Sequence, residues 1–307
     1  MASPRALVCA AVASVVLVGG TAAGTFYVQA RAHAGTGVVS SAAASSTGEA
    51  GGEATVEQVE SVEPVVDRDA LLARAMAEVS VADGAEVSVA VLDVATGERA
   101  GYGDGAFDTA SIVKVDILAA LLLQAQDAGR RLTAAEEAYA TAMIVSSDND
   151  SASALWRVIG RAEGLDAANE RFGLTGTAGG EGMLWGLTQT TAADQLTLLG
   201  QVFGDDSELS AASRTYLQGL MGRIAAGQDW GVSAVTDGPG AWALKNGWLP
   251  RTATGLWDVN SVGRVTVDGH DCLLAVLSDG NATKERGVAL VEAAAGAAVR
   301  AVGASGS

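Results

Sequence analysis

Ser111-Ile112-Val113-Lys114-Val115-Asp116-Ile117-Leu118-Ala119-Ala120-Leu121-Leu122-Leu123 is apolar on nearly every face of a helix. A surface helix confines its apolar residues to one stripe. Ile112, Val113, Val115, Ile117, Leu118, Leu121, Leu122 and Leu123 leave no such stripe, so a helix over 111–128 is predicted to be central and buried. Ser111 and Lys114 stand at its opening, one turn apart on one face. Asp116, inside the helix, is expected to cap or pair locally.

Working outward, a helix is predicted over 65–79, where Leu71, Leu72, Ala75, Met76 and Val79 recur at helical spacing. An alternating strand over 86–93 follows, then a turn at Ala95-Thr96-Gly97 and a return strand over 99–102. Beyond the central helix, further helices are predicted over 133–146, 150–159, 166–172, 191–202 and 210–221. The period then changes to strands over 241–245, 256–266 and 272–278, closed by a helix over 283–302. This order predicts an α+β fold, an α/β sandwich. Helices pack an antiparallel sheet built from N- and C-terminal strands, beside an all-helical subregion.

The chain has 307 residues, 49% of them hydrophobic and 18% charged, enough to bury a core. A formal charge of −17 repels nucleic acid and anionic lipid, which excludes a nucleic-acid partner. The histidines are His33 and His270 and the cysteines Cys9 and Cys272. That is too little material for a metal cage, a disulfide framework or a histidine triad, so neither metal nor cofactor is expected. Cys272, in Cys-Leu-Leu-Ala-Val-Leu, reads as a buried strand thiol.

Arg5 precedes an uncharged run from Ala6 through Val28, and Ala32-His33-Ala34 follows. Residues 1–34 read as a signal peptide cleaved after Ala34, or as an uncleaved anchor, since about 20 apolar residues span a bilayer. Either way the remainder is expected outside the cytoplasm, secreted or anchored to the outer face of the cytoplasmic membrane by residues 6–28. Membrane contact is expected through that segment only. Residues 35–61, of Gly, Ala, Ser, Thr and Glu, read as a flexible low-complexity linker, and 62–303 as one domain, expected to be monomeric.

A serine needs a base to become a nucleophile, and with no usable histidine Lys114 is the available base for Ser111. The helix opening favours an oxyanion there, and burial lowers the amine's pKa toward neutrality. Ser147-Asp148-Asn149 lies where one predicted helix ends and the next starts, able to project a hydroxyl and an amide into a cleft. Trp242-Ala243-Leu244-Lys245-Asn246-Gly247-Trp248 puts a second of the three lysines at the end of an apolar strand, before a glycine that lets a ligand approach the backbone.

Together and in this order, these stretches resemble the Ser-x-x-Lys, Ser-Asp-Asn and Lys-Thr-Gly signatures of serine β-lactamases and penicillin-binding proteins. The resemblance runs from about residue 65 to the C-terminus and is closest to class A β-lactamases. It implies a β-lactamase/transpeptidase-like fold, Ser111 as acylated nucleophile and Lys114 as its base or proton shuttle. Ser147 would relay a proton to the leaving nitrogen, Asn149 would hold a substrate amide, and Lys245 would tune the field. Asn246, Gly247 and Trp248 would line the substrate, with the N–H groups of Ser111 and Trp248 as the oxyanion hole. The implied partner is a small-molecule β-lactam or a D-Ala-D-Ala-type peptide.

The chain also departs from the family pattern. Asn246 stands where a hydroxyl residue is usual. No Glu-x-x-Leu-Asn stretch exists for positioning a deacylating water, and Glu181 in Thr177-Ala178-Gly179-Gly180-Glu181-Gly182-Met183-Leu184-Trp185 is the carboxylate on offer. Arg251 is a candidate for gripping a substrate carboxylate. Four readings stay open: β-lactam hydrolysis first, then a D,D-peptidase or penicillin-binding protein, a non-catalytic cell-wall-binding module, and a glutaminase-like amidase. Gly101-Tyr102-Gly103-Asp104-Gly105 lacks the helix start of a phosphate loop. Trp185, Trp230, Trp242, Trp248 and Trp257 are expected mostly in the core, with Trp248 facing the cleft. His270 is expected at an exposed hairpin turn.

Overall fold

Alternation along Glu86–Asp93 (β1) sends Val87, Val89 and Val91 to one face of a sheet and Ala90 and Leu92 to the other, and both faces are covered. A computed structural model describes residues 66–303. The expected signal or anchor (1–34), the linker (35–61) and the first residues of the domain lie outside the described residues. Arg99–Tyr102 (β2) pairs with β1, and the sheet is completed by Trp242–Pro250 (β5), Trp257–Val267 (β6) and His270–Asn281 (β7). The order is β2-β1-β7-β6-β5, antiparallel throughout. Phe107–Asp108 (β3) and Gln189–Thr190 (β4) form a separate two-stranded pair, too short for any periodicity to signal.

One face of the sheet packs on Arg68–Met76 (α1) and Lys284–Gly303 (α8), whose Val291, Ala294, Ala295, Ala297 and Ala298 are fully buried. The other faces the helical block: Val113–Asp127 (α2), Ala134–Val145 (α3), Asn149–Val158 (α4), Arg161–Phe172 (α5), Ala192–Phe203 (α6) and Ala211–Met221 (α7). Helix α2 runs through the middle of this layer, buried from Val113 to Leu123. The fold is the expected α+β sandwich. Among the described residues, no helix is long and apolar enough to cross a membrane.

Several boundaries differ from expectation for identifiable reasons. Helix α1 begins at Arg68 because the Asp67 carboxylate accepts from Ala70 N at 2.9 Å and caps it there. Helix α5 starts five residues early, at Arg161, after Gly160 turns the chain with φ +98°. Strand β5 does not stop at Lys245. It runs on to Pro250, because it is an edge strand that tolerates Gly247 and a terminal proline. Lys245 therefore sits mid-strand.

Asp116 pairs across the fold and not locally: Oδ1 accepts from Gln195 Nε2 on α6 at 3.1 Å. Burial pushes its carboxyl up to about 7, and both Asp116 Oδ2 and Gln195 Oε1 lack partners. Burial away from any counter-charge favours its neutral, protonated form. Trp185, Trp230, Trp242, Trp248 and Trp257 are half-buried at the edges of the two cores, whereas Trp156 is the fully buried tryptophan. Its Nε1 donates to Gly182 O at 2.8 Å. His270 is exposed beside the β6–β7 turn, where Asp268 and Gly269 both have positive φ. Cys272 is buried, and burial pushes its thiol up to about 11, an inert group.

Candidate active site

Ser111 lies in a short 3₁₀ turn, Ala110–Ile112, that opens α2. As a first-turn group its N–H has no acceptor within the helix. Three elements hold this turn. Asn260 on β6 donates through Nδ2 to Asp108 O at 2.9 Å and Thr109 O at 3.1 Å. Thr109 N donates to Thr188 O at 2.9 Å. Strand β5 comes so close that a Cβ on Gly247 would lie 2.7 Å from Thr109 O and 2.8 Å from Ser111 N. Gly247 thus admits the Ser111 turn, a closer constraint than ligand approach. Ala110 adopts φ +48°, a strained conformation directly before Ser111.

The hydroxyls and amines of the three sequence stretches meet. Lys114 Nζ lies 3.0 Å from Ser111 Oγ, 3.1 Å from Ser147 Oγ, 2.7 Å from Ser147 O and 2.8 Å from Asn149 Oδ1. Lys245 Nζ lies 3.0 Å from the same Ser147 Oγ and 2.9 Å from Asn246 O. Ser147 is held at φ +56°, and the Asp148 carboxylate caps α4 by accepting from Ser151 N at 2.7 Å.

These contacts allow a neutral lysine. The two shortest are to carbonyl oxygens, which can only accept, and they use both N–H groups of a neutral amine. Its lone pair is then free for a hydroxyl proton. Burial lowers Lys114 to about 8, against an opposing pull from Asp148. Lys245 is lowered to about 7, by burial first and then by the charge of Lys114. Both amines are nearly inaccessible. An amine lies within hydrogen-bond reach of Ser111, and Ser147 links both amines in one hydrogen-bonded chain.

Four sequence candidates lie outside this chain. Asn246 is buried, and its Nδ2 donates to Gln228 O and Trp230 O, each at 2.8 Å. Gln228 in turn donates to Ser146 O at 3.3 Å. Asn246 therefore ties a loop to β5 and to the end of α3, a job no hydroxyl could do with one donor. Arg251 is ion-paired with Asp108 and, at 3.4 Å, with Asp258, so it clamps β3, which leads to Ser111, instead of standing free for a substrate carboxylate. The Trp248 indole turns to Trp230, with ring centroids 5.9 Å apart, and lies 4.0 Å under Lys284 Nζ. Glu181 is exposed on the loop between α5 and β4, and its carboxylate joins no hydrogen bond of the site.

Trp185, from the same loop, is what meets Lys114. Its ring centre is 4.9 Å from Nζ, and its Nε1 donates to Ser153 Oγ at 3.1 Å. Neither Trp185 nor Asn260 was legible as a site residue. The available signal for Asn260 was the polar run Asp258, Asn260, Ser261 within an otherwise buried strand. Among the described residues, no group of three or more His, Cys, Asp or Glu is placed to hold a metal ion.

The family model described as "Beta-lactamase enzyme family" matches residues 71–136 and 123–302, which takes in every element of the site. The chain belongs to the beta-lactamase enzyme family. Solved structures agree on the fold of this beta-lactamase-family chain. The TLA-3 extended-spectrum β-lactamase superposes with a TM-score of 0.64 at 15% identity, over 75% of this chain and 96% of that one. PBP-A gives 0.65 at 22%, over 76% and 95%. A β-lactamase from Xanthomonas campestris pv. campestris gives 0.60 at 23%, over 77% and 97%. A PBP-A mutant is known as its acyl-enzyme complex with penicillin G. No curated protein sequence matches the chain.

Proposed function

We propose that this member of the family is an exported serine hydrolase, acylated at Ser111 by β-lactams and slow to release the acyl group. The observation that carries the reading is the 3.0 Å contact between Ser111 Oγ and a lysine whose pKa burial has lowered to about 8. The Ser111 proton moves to the Lys114 lone pair as Oγ attacks the lactam carbonyl. The N–H groups of Ser111 and Trp248 receive the oxyanion. The C–N bond then breaks, and Ser147 Oγ gives its proton to the leaving nitrogen and is reprotonated from the Lys114 ammonium through their 3.1 Å contact. Lys245 holds Ser147 in place from the other side.

Hydrolysis of the ester needs a base for water. The exposed Glu181 and the indole beside Lys114 support slow release. The same two features favour, as a second reading, a penicillin-binding protein that acts on a D-Ala-D-Ala-type peptide. Export rests on the pattern of residues 5–34 alone.

The test is intact-mass analysis of the purified protein with penicillin G, followed by peptide mapping, beside Ser111→Ala. The reading predicts one acyl adduct per chain, on the Ser111 peptide, and none in the variant. Absence of an adduct together with absence of lactam loss would shift the function to an amidase or a binding module.

A further inference from the structure

The indole of Trp185 faces the lysine that takes the Ser111 proton, and neither the sequence signatures nor the proposed reaction uses it. Its hydrogen bond to Ser153 Oγ on α4 fixes the ring beside Nζ at 4.9 Å, within the range of a cation–π contact. The loop that carries it is tied to the buried Trp156, whose Nε1 donates to Gly182 O at 2.8 Å.

We infer that Trp185 is a positioning residue for proton transfer, its π face stabilising the ammonium that Lys114 becomes when it deprotonates Ser111. This rests on the reading of Ser111 and Lys114 as nucleophile and base. An indole here has two opposing effects. It excludes water, which disfavours the ammonium, and its quadrupole favours the ammonium. A carboxylate in this place would hold a fixed charge against Lys114 and keep it protonated. The ring instead stabilises the charge without supplying a proton acceptor, so the lysine stays available as a base. The charged groups facing Lys114 are Lys245 from β5, whose amine shares Ser147 Oγ, and Asp148 from the turn between α3 and α4. Asp116, on the same helix, is turned to Gln195.

The chain has three lysines, Lys114, Lys245 and Lys284, so lysine labelled with ¹³C at Cε gives three NMR signals. Lys245→Arg and Lys284→Arg assign them. Lys284, which contacts Trp248 and Trp230, serves as the internal reference. The Lys114 midpoint is followed by pH titration in wild type, Trp185→Leu, Trp185→Phe and Trp185→Ala. Leucine keeps the apolar cover and removes the ring face, so the midpoint falls by roughly half a pH unit. Phenylalanine gives a smaller fall. Alanine admits water, and the midpoint rises above that of the leucine variant.

A leucine midpoint at or above wild type overturns the inference, as does an alanine midpoint at or below that of leucine. If the leucine and alanine variants do not fold, Trp185→Phe decides, and an unchanged or raised midpoint overturns the inference. The titration needs no substrate. A wild type that penicillin G fails to acylate refutes the acylation reading alone. Acylation with an unshifted Lys114 in the variants refutes this inference alone.

Discussion

The two walls of the site have different contents. On one side β5, the opening of α2 and the α3–α4 turn bring Ser111, Lys114, Ser147 and Lys245 into a chain of contacts of 3.0–3.1 Å. On the other, the loop between α5 and β4 offers an exposed Glu181 and an indole. On the proposed reading the first wall supplies the groups for acylation, and the second offers one carboxylate, the exposed Glu181. The two are not independent: Thr188, at the end of that loop, accepts from Thr109 N at 2.9 Å beside Ser111, so a change in the loop also reaches the turn that holds Ser111.

The largest effect is expected from removing the amine beside Ser111. Lys114→Ala should lower the acylation rate by about 10³ in stopped-flow measurements with a chromogenic lactam, the span expected of a general base. A variant within tenfold of wild type would mean that Ser111 is activated by another group. Gly247→Ala tests the geometry of the same wall. A Cβ there meets Thr109 O, Ser111 N and Ile112 N at 2.7–2.9 Å, so the nucleophile's turn must shift. The expected cost is about 100-fold in acylation with the fold retained by circular dichroism.

The pH dependence is the next largest effect. A base must be neutral to accept a proton, so acylation should rise with pH as the Lys114 ammonium deprotonates. The midpoint is expected near 8, with a loss of about tenfold per unit well below it. A rate that fell with rising pH through this range would assign the base elsewhere. The smallest effect belongs to the second wall. Glu181→Gln should change neither acylation nor adduct lifetime by more than about twofold, because an exposed side chain outside the network has nothing to lose. A tenfold longer adduct lifetime would restore Glu181 as the deacylation base.

How far the sequence reveals the molecule depends on whether the information is local. The central helix was readable because Ile112 through Leu123 carry no polar stripe, and Ser111 with Lys114 because one helical turn brings them together. The joining of Ser147 and Lys245 to that pair was implied by the resemblance alone. Asp116 was misjudged as locally paired because its partner, Gln195, is 79 residues away. Strand β5 runs beyond the expected end at Lys245 because Gly247 reads in the sequence as a point of ligand approach, whereas the edge position and the approach of Thr109 and Ser111 make that glycine a strand residue. Asn246 looked like a substitute for a hydroxyl. Its two bonds to Gln228 and Trp230 exist because a loop distant in sequence folds back on the strand. Asn260 and Trp185 acquire their places from sheet and loop closure, which no spacing records.

On the proposed reading, acylation of Ser111 outpaces hydrolysis of the ester it forms. Pre-steady-state kinetics of the wild-type protein with a chromogenic β-lactam test it most directly. The expected result is a burst in which one lactam is opened per Ser111, with a persistent covalent adduct, then a much slower steady state. A linear time course of lactam loss with no burst and no accumulating adduct would contradict it.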